Sequence, residues 1–327
     1  MATKVLVLVL CALVTAAAAD DGAERMRAEL VDGSGGVAPA PPPQSADMAA
    51  KEAEALAGLE PQIRDALKDI MAVLEHGSEQ SKDGALERLI GFAVSTGEAG
   101  PEQARMFRSA VVAGGVLPAL VRILEAASEP QRQFLAAAGL HALALDDPST
   151  DLDNFHQLEI CQAGAVAPLV KLLGAEEPQL QNAVTGALAA LAENPTCQAM
   201  IAAEGAVAPL MSMAHFGSDM LKIGALSALD VLSINNADVR AQLAQEGAPQ
   251  MLEGLSTMGS SLLRDPATEL GAKLAEDAGA VPKLNADQHV KAARASRVKY
   301  DGIRERAFRR MGGWADAEVE EAHSRGY

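Results

Sequence analysis

The chain has 327 residues, of which 49% are hydrophobic and only 3% aromatic, and a formal net charge of −17. A chain of this length buries a large core, but with so few aromatic rings the core has to be built from close aliphatic contacts, as between stacked helices. The acidity disfavours a nucleic-acid partner, and none is expected, because affinity for phosphates rests on Lys and Arg neutralising the backbone; it favours basic partners.

Residues Met1 to Ala19 carry one cation, Lys4, an apolar run from Val5 to Val14 and a small-residue end at Ala17-Ala18-Ala19. The run is shorter than a bilayer-spanning helix, so residues 1–19 read as a cleaved secretory signal; an organelle-targeting leader or an uncleaved N-terminus are the alternatives. Residues 20–46 are Gly, Ala, Pro and charge around Pro41-Pro42-Pro43, too polar to order themselves, and read as a disordered lead-in. Helical periodicity resumes at Asp47 and restarts after Pro61 with Ile63, Leu67, Ile70 and Leu74. Residues 47–112 are therefore N-terminal helices and a divergent first repeat, continued by Gly84 to Ile90 and a short helix from Pro101 to Val112.

Residues 113–282 repeat. Pro118, Pro168 and Pro209 fall in register, and Gly164, Gly205 and Gly247 are separated by 205 − 164 = 41 and 247 − 205 = 42 residues. A period near 40 residues, filled by two or three helices, is the mark of an armadillo or HEAT array. Gly164-Ala165-Val166-Ala167-Pro168-Leu169-Val170-Lys171-Leu172-Leu173, followed by Leu180-Gln181 and Gly186-Ala187-Leu188, resembles the armadillo repeat. The resemblance implies an all-α, right-handed armadillo-type solenoid of four to five repeats.

The unit from Gly114 to Gln162 is longer than its successor by about nine residues, Asp146 to Asn154. Its alternating carboxylates suggest a calcium loop, but the required Gly and closing Glu are missing, and a solvated loop whose Ser149–Asp151 segment caps the next helix explains it as well. The third and fourth units are Gly164 to Ala203 and Glu204 to Gln245. A degenerate last unit starts at Gly247, uses Asp265-Pro266 as a helix start and ends near Asp277. Outside the leader the cysteines are Cys161 and Cys197. The repeat register aligns Cys161 with Ala202, several residues from Cys197 along neighbouring helices, so two buried thiols are expected, with a disulfide as the lesser option.

In the tail, residues 283–327, cations gather: Lys283, Lys291, Arg294, Arg297, Lys299, Arg304, Arg306, Arg309 and Arg310. On a helix, Tyr300, Ile303, Ala307, Met311 and Trp314 make an apolar stripe beside a basic face. The expected role is a terminal helix covering the exposed core of the last repeat; a membrane surface or an acidic partner is the alternative, and membrane contact is confined to this tail.

No phosphate-cradling loop, metal-binding His-Glu-x-x-His, Cys-x-x-Cys or nucleophile elbow occurs, so no enzyme activity and no cofactor or metal is expected. Function in such arrays lies on the concave face, made here by the long helix of each unit. Importin-like armadillo proteins place Trp there and Asn four residues later. In this chain Ala138, Gly186 and Ser227 stand at the Trp place and Ala142, Ala190 and Val231 at the Asn place, so that peptide-binding ladder is absent. The expected site is a partly apolar groove of Phe134, Ala138, His141, Ala142, Asn182, Gly186, Ala190, Lys222, Ile223, Ser227, Asp230 and Val231, suited to a folded surface or an amphipathic helix. The expectation is a monomeric adaptor or scaffold of the secretory pathway, in the endoplasmic reticulum lumen or secreted, with a protein partner on that face. The layout is also similar to the nucleotide-exchange factors that clamp DnaK/BiP-type chaperones, which implies the alternative function of opening a chaperone's nucleotide cleft; the end Ser324-Arg325-Gly326-Tyr327 is no Lys-Asp-Glu-Leu-type retention signal.

Overall fold

The computed structural model describes residues 57–94, 100–126, 129–145, 155–275 and 284–310. The expected signal (1–19), the lead-in (20–46), the loop 146–154, and Met311 and Trp314 lie outside the described residues. Among the described residues all regular structure is helical, and the chain divides into two compact units, up to Gly164 and from Ala165.

The first unit contains α1 (Pro61–His76), α2 (Glu79–Val94), α3 (Gly100–Ala113), α4 (Leu117–Ala126), α5 (Pro130–Ala144) and α6 (Phe155–Gln162). Helix α5 packs on α2 and α4, and α1 on α2. Proline opens α1 and α5, where its missing N–H costs nothing and its fixed φ suits a first helical turn. Phe92 and Phe107 pack with ring centroids 5.3 Å apart.

The second unit contains α7 (Val166–Leu172), α8 (Pro178–Leu191), α9 (Pro195–Ala203), α10 (Val207–Phe216), α11 (Asp219–Ser233), α12 (Ala237–Gln245), α13 (Ala248–Met258), α14 (Arg264–Ala275) and α15 (Ala286–Arg310). Side chains cap several N-termini: Asn194 Oδ1 accepts from the Thr196 and Cys197 amides, Ser218 Oγ from Leu221, and Asn236 Oδ1 from Val239. The turns before α7, α10 and α13 use the left-handed conformation at Gly164, Gly205 and Gly247, with φ of 79° to 90°. In the first unit the equivalent turn falls on Gly115, one residue later than the repeat alignment places it.

The long helices are buried on nearly every side: Phe134 to Ala144 in α5, Ala183 to Leu191 in α8, and Ile223 to Ser233 in α11. That follows from sequence, since a helix apolar all round belongs inside, and Ala and Gly let its neighbours approach closely. Gln133 and Gln181, at matching places in the first turns of α5 and α8, donate to the carbonyls of Leu124 and Leu173, each at 3.1 Å, and so tie each long helix to the helix before it.

Cys161 and Cys197 are both buried and disulfide-bonded, which corrects the expectation of two free thiols. Successive repeats are not exact copies of one another. Helices α6 and α9 differ in length, eight residues against nine, and Asn194-Pro195 opens α9, so an offset counted along the chain does not carry over from one repeat to the next.

Candidate protein-binding site

In the second unit α15 lies against α11, with α8 and α9 also touching it. The body presents two carboxylates to it. Glu193, just past the end of α8, and Asp230, in α11, are each 1% exposed. Glu193 accepts from Arg297 Nε and, at 3.4 Å, from Arg294 Nε. Asp230 accepts from Ser296 Oγ and, at 2.6 Å, from Lys273 Nζ on α14. Farther out, Lys299 pairs with Glu269 of α14. Arg297 Nη1 also donates to Asp301 Oδ2 at 2.8 Å, and Arg304 Nη1 stands 3.9 Å from Asp301 Oδ1.

Arg304 reaches the centre of this face because residue 224 has no side chain. A Cβ on Gly224 would lie 2.6 Å from Arg304 Nη2 and 3.4 Å from Thr185 Cγ2, so α8, α11 and α15 meet there. The start of α15 is fixed twice. Asn285 and Gln288 form a reciprocal capping box, with Asn285 Oδ1 accepting from the Gln288 amide at 2.8 Å and Gln288 Oε1 from the Asn285 amide at 3.1 Å. Asn235, itself at φ 54°, engages both backbone groups of Leu284 with its side-chain amide, at 3.2 Å each.

This environment shifts several groups. Burial raises the Tyr300 phenol well above its usual range, and the charges of Asp230 and Glu269 add to it. Burial pulls the Arg304 guanidinium down, with Asp301 opposing and Arg297 reinforcing. His289 is lowered by burial, opposed by the Ala192 backbone. In the first unit Arg132 binds Asp83 through Nε at 2.8 Å and Glu79 through Nη1 at 2.8 Å. His156, 3.2 Å from Ser109 Oγ, is held down at about 4 by burial, with Arg108 and Arg105 adding repulsion.

The open groove expected from the sequence is not what the described residues form. Phe134, Ala138, His141 and Ala142 are buried in the first unit, and Gly186, Ala190, Ile223, Ser227, Asp230 and Val231 in the second; only Asn182 and Lys222 keep partial exposure. The long helices are surrounded by neighbours, and in the second unit the chain's own tail covers them. The tail therefore departs from expectation too. Tyr300, Ile303 and Ala307 are buried as the stripe required, but α15 packs chiefly on α11, not on the last helices, and Arg294, Arg297 and Arg304 turn inward. The last pair, α13 and α14, packs on itself, while Glu193 draws in Arg294 and Arg297, and Asp301 of α15 itself stands beside Arg304. Sequence reasoning missed Glu193, Gly224 and Ser296. The available signal was a lone acid in an apolar helical context, Glu193 after Leu191-Ala192, matched by Arg294 and Arg297 three residues apart in the tail.

Among the described residues no cluster of three or more His, Cys, Asp or Glu could hold a metal ion, and no single helix is long and apolar enough to cross a membrane.

The armadillo/beta-catenin-like repeat family matches residues 156–193, which run from α6 through α8. No curated protein matches. Among solved structures, a designed armadillo repeat protein in complex with the peptide (KR)4 is 22% identical with a TM-score of 0.56, the match covering 69% of this chain and 90% of that one. A computationally designed armadillo repeat protein for modular peptide recognition is 24% identical with a TM-score of 0.55, covering 68% and 90%. An engineered protein is 22% identical with a TM-score of 0.58, covering 82% and 99%. The chain thus has the all-helical armadillo-repeat fold, with the family's sequence pattern in residues 156–193.

Proposed function

We propose that this protein is a non-enzymatic scaffold that binds other proteins through the long-helix face of its second unit. The observation that carries the reading is the way that face holds a helix: buried Glu193 and Asp230 accept hydrogen bonds from Arg294, Arg297 and Ser296 of α15. Grooved proteins hold amphipathic helices by their apolar face, and the charge-assisted bonds here add orientation and strength to that contact. The designed relative solved with a Lys/Arg peptide supports the same use of the fold.

A secretory-pathway location is part of the proposal. The disulfide-bonded state of Cys161 and Cys197 supports it, because disulfides persist in oxidising compartments, and so does the apolar run Val5 to Val14.

The test is affinity capture from secretory-pathway lysate on immobilised wild-type chain and on a Glu193→Arg/Asp230→Arg variant, with and without ATP. Proteins retained by the wild type and lost from the variant carry the proposal. Retention equal on both refutes the assigned face, and no retention above the bare matrix refutes the scaffold. A DnaK-type chaperone that is bound without nucleotide and released by ATP would replace the plain scaffold with the exchange-factor alternative.

A further inference from the structure

We propose that α15 is an internal ligand, occupying in cis a docking site made for an arginine-bearing amphipathic helix of a protein partner. The inference rests on the scaffold reading above and adds the chemistry of the partner and the means by which the site is held closed.

Three features separate α15 from a permanent part of the core. First, its buried face is polar. Ser296, Arg297, Asp301 and Arg304 are buried together with Tyr300 and Ile303, whereas α8 and α11 bury chiefly Ala, Leu and Val. A helix meant only to cover apolar surface would not carry guanidinium groups into it, because an apolar replacement of a buried ion pair is as stable or more so.

Second, the fit is incomplete. Tyr300 Oη and Arg304 Nε and Nη2 are buried without a hydrogen-bond partner. Each unmet polar group weakens the docking of α15 relative to the area it covers, and a better-matched helix gains that difference.

Third, one of the two buried carboxylates keeps a partner outside α15. Asp230 retains Lys273 from α14, and Glu193, whose two cations Arg294 and Arg297 both come from α15, would meet water once α15 departs. What is uncovered is an apolar face with two carboxylates on a chain of net charge −17, which attracts a basic helix before contact and holds it after. The template for the partner is α15 itself: Arg at two positions three apart facing Glu193, a hydroxyl facing Asp230, and an aromatic ring four residues beyond that hydroxyl.

The experiment uses the full chain and a fluorescein-labelled synthetic peptide of residues 284–310 as the probe, read by anisotropy. Arg294→Glu/Arg297→Glu unseats the internal helix, and the peptide is expected to bind this variant at least about tenfold more tightly than the wild type. Arg304→Met removes the buried Nε and Nη2 that lack hydrogen-bond partners, at the cost of the long 3.9 Å pair with Asp301, seats α15 more firmly and is expected to weaken peptide binding relative to the wild type. Hydrogen exchange on the wild type is expected to show the amides of 286–310 exchanging well before those of α11, and faster still under saturating peptide while α11 stays protected.

Peptide affinity unchanged by the charge reversal overturns the proposal, and so does equal protection of α15 and α11. If the charge-reversed variant fails to fold, the Arg304→Met titration and the exchange data on the wild type decide alone. Release of α15 by phosphatidylserine-containing vesicles but not by peptide overturns the protein partner in favour of a membrane. A released α15 in a chain that captures nothing from lysate refutes the scaffold reading; capture with α15 and α11 equally protected refutes only the present inference.

Discussion

Replacing Arg297 with Ala removes the centre of the α15 interface. The pair Arg297–Glu193 is 5% and 1% exposed, in contrast to Arg132–Glu79, where the carboxylate is 62% exposed and water competes. Exposed pairs contribute about 1 kcal/mol or less, whereas breaking a buried pair by deleting one partner costs about 3 to 5 kcal/mol, because the other charge is left uncompensated. Arg294, 3.4 Å from Glu193, offsets part of this, and Asp301 loses its 2.8 Å bond. The expectation for Arg297→Ala is therefore a loss of about 3 kcal/mol. Glu193→Met/Arg297→Met removes both charges at similar volume and should recover most of it. Urea unfolding of the wild type, Glu193→Met, Arg297→Met and the double variant gives the coupling, expected at about 1 to 3 kcal/mol. A loss under about 1 kcal/mol for Arg297→Ala, with coupling under about 0.5 kcal/mol, would show that these groups are solvated and that α15 does not dock where described.

Leu188, almost wholly buried in α8, leaves a cavity when truncated, so Leu188→Ala should lower unfolding stability by about 2 to 5 kcal/mol; an unchanged denaturation midpoint would refute its burial. His156 introduces a pH dependence. Its folded-state value of about 4 lies below the ordinary 6.5, so the unfolded chain takes up the proton first as the pH falls. Stability is then full above the unfolded value, declines as pH drops from about 6.5 to about 4 by roughly 3 kcal/mol, and levels off below, while His156→Gln flattens that part of the profile. Thiol labelling of the unreduced, denatured protein should leave Cys161 and Cys197 unmodified, and their quantitative alkylation without reductant would contradict their bonded state.

The repeat was legible because its signals are local. Proline at helix starts, glycine where φ turns positive and Ala/Leu runs for the buried helices all depend on a few neighbouring residues, and they placed the long helices correctly. The coverage of the long helices was not legible. Periodicity reports which face of a helix is apolar, not which other segment comes to lie on it, and α15 returns across about a hundred residues to reach Glu193. The stripe Tyr300-Ile303-Ala307 announces a buried face, yet Arg297 shares it, because a cation is admitted to an interior where a partner carboxylate waits, and the partner of Arg297, Glu193, lies far away in sequence. Asp230 was placed at the edge of an open groove for the same reason: its mate Ser296 is sixty-six residues away. The cysteines failed differently, through an assumption of identical repeats that the unequal helices α6 and α9 do not satisfy.

The central claim is that the long-helix face of the second unit is a ligand site held by α15. The most direct test is an electron-spin distance measurement between labels at Gln179→Cys, exposed in the first turn of α8, and Val298→Cys, on the outer side of α15. One well-defined distance in the free protein, replaced by a longer and broader distribution under saturating peptide of residues 284–310, is the predicted result. A distribution that the peptide leaves unmoved, or one already broad in its absence, would contradict it.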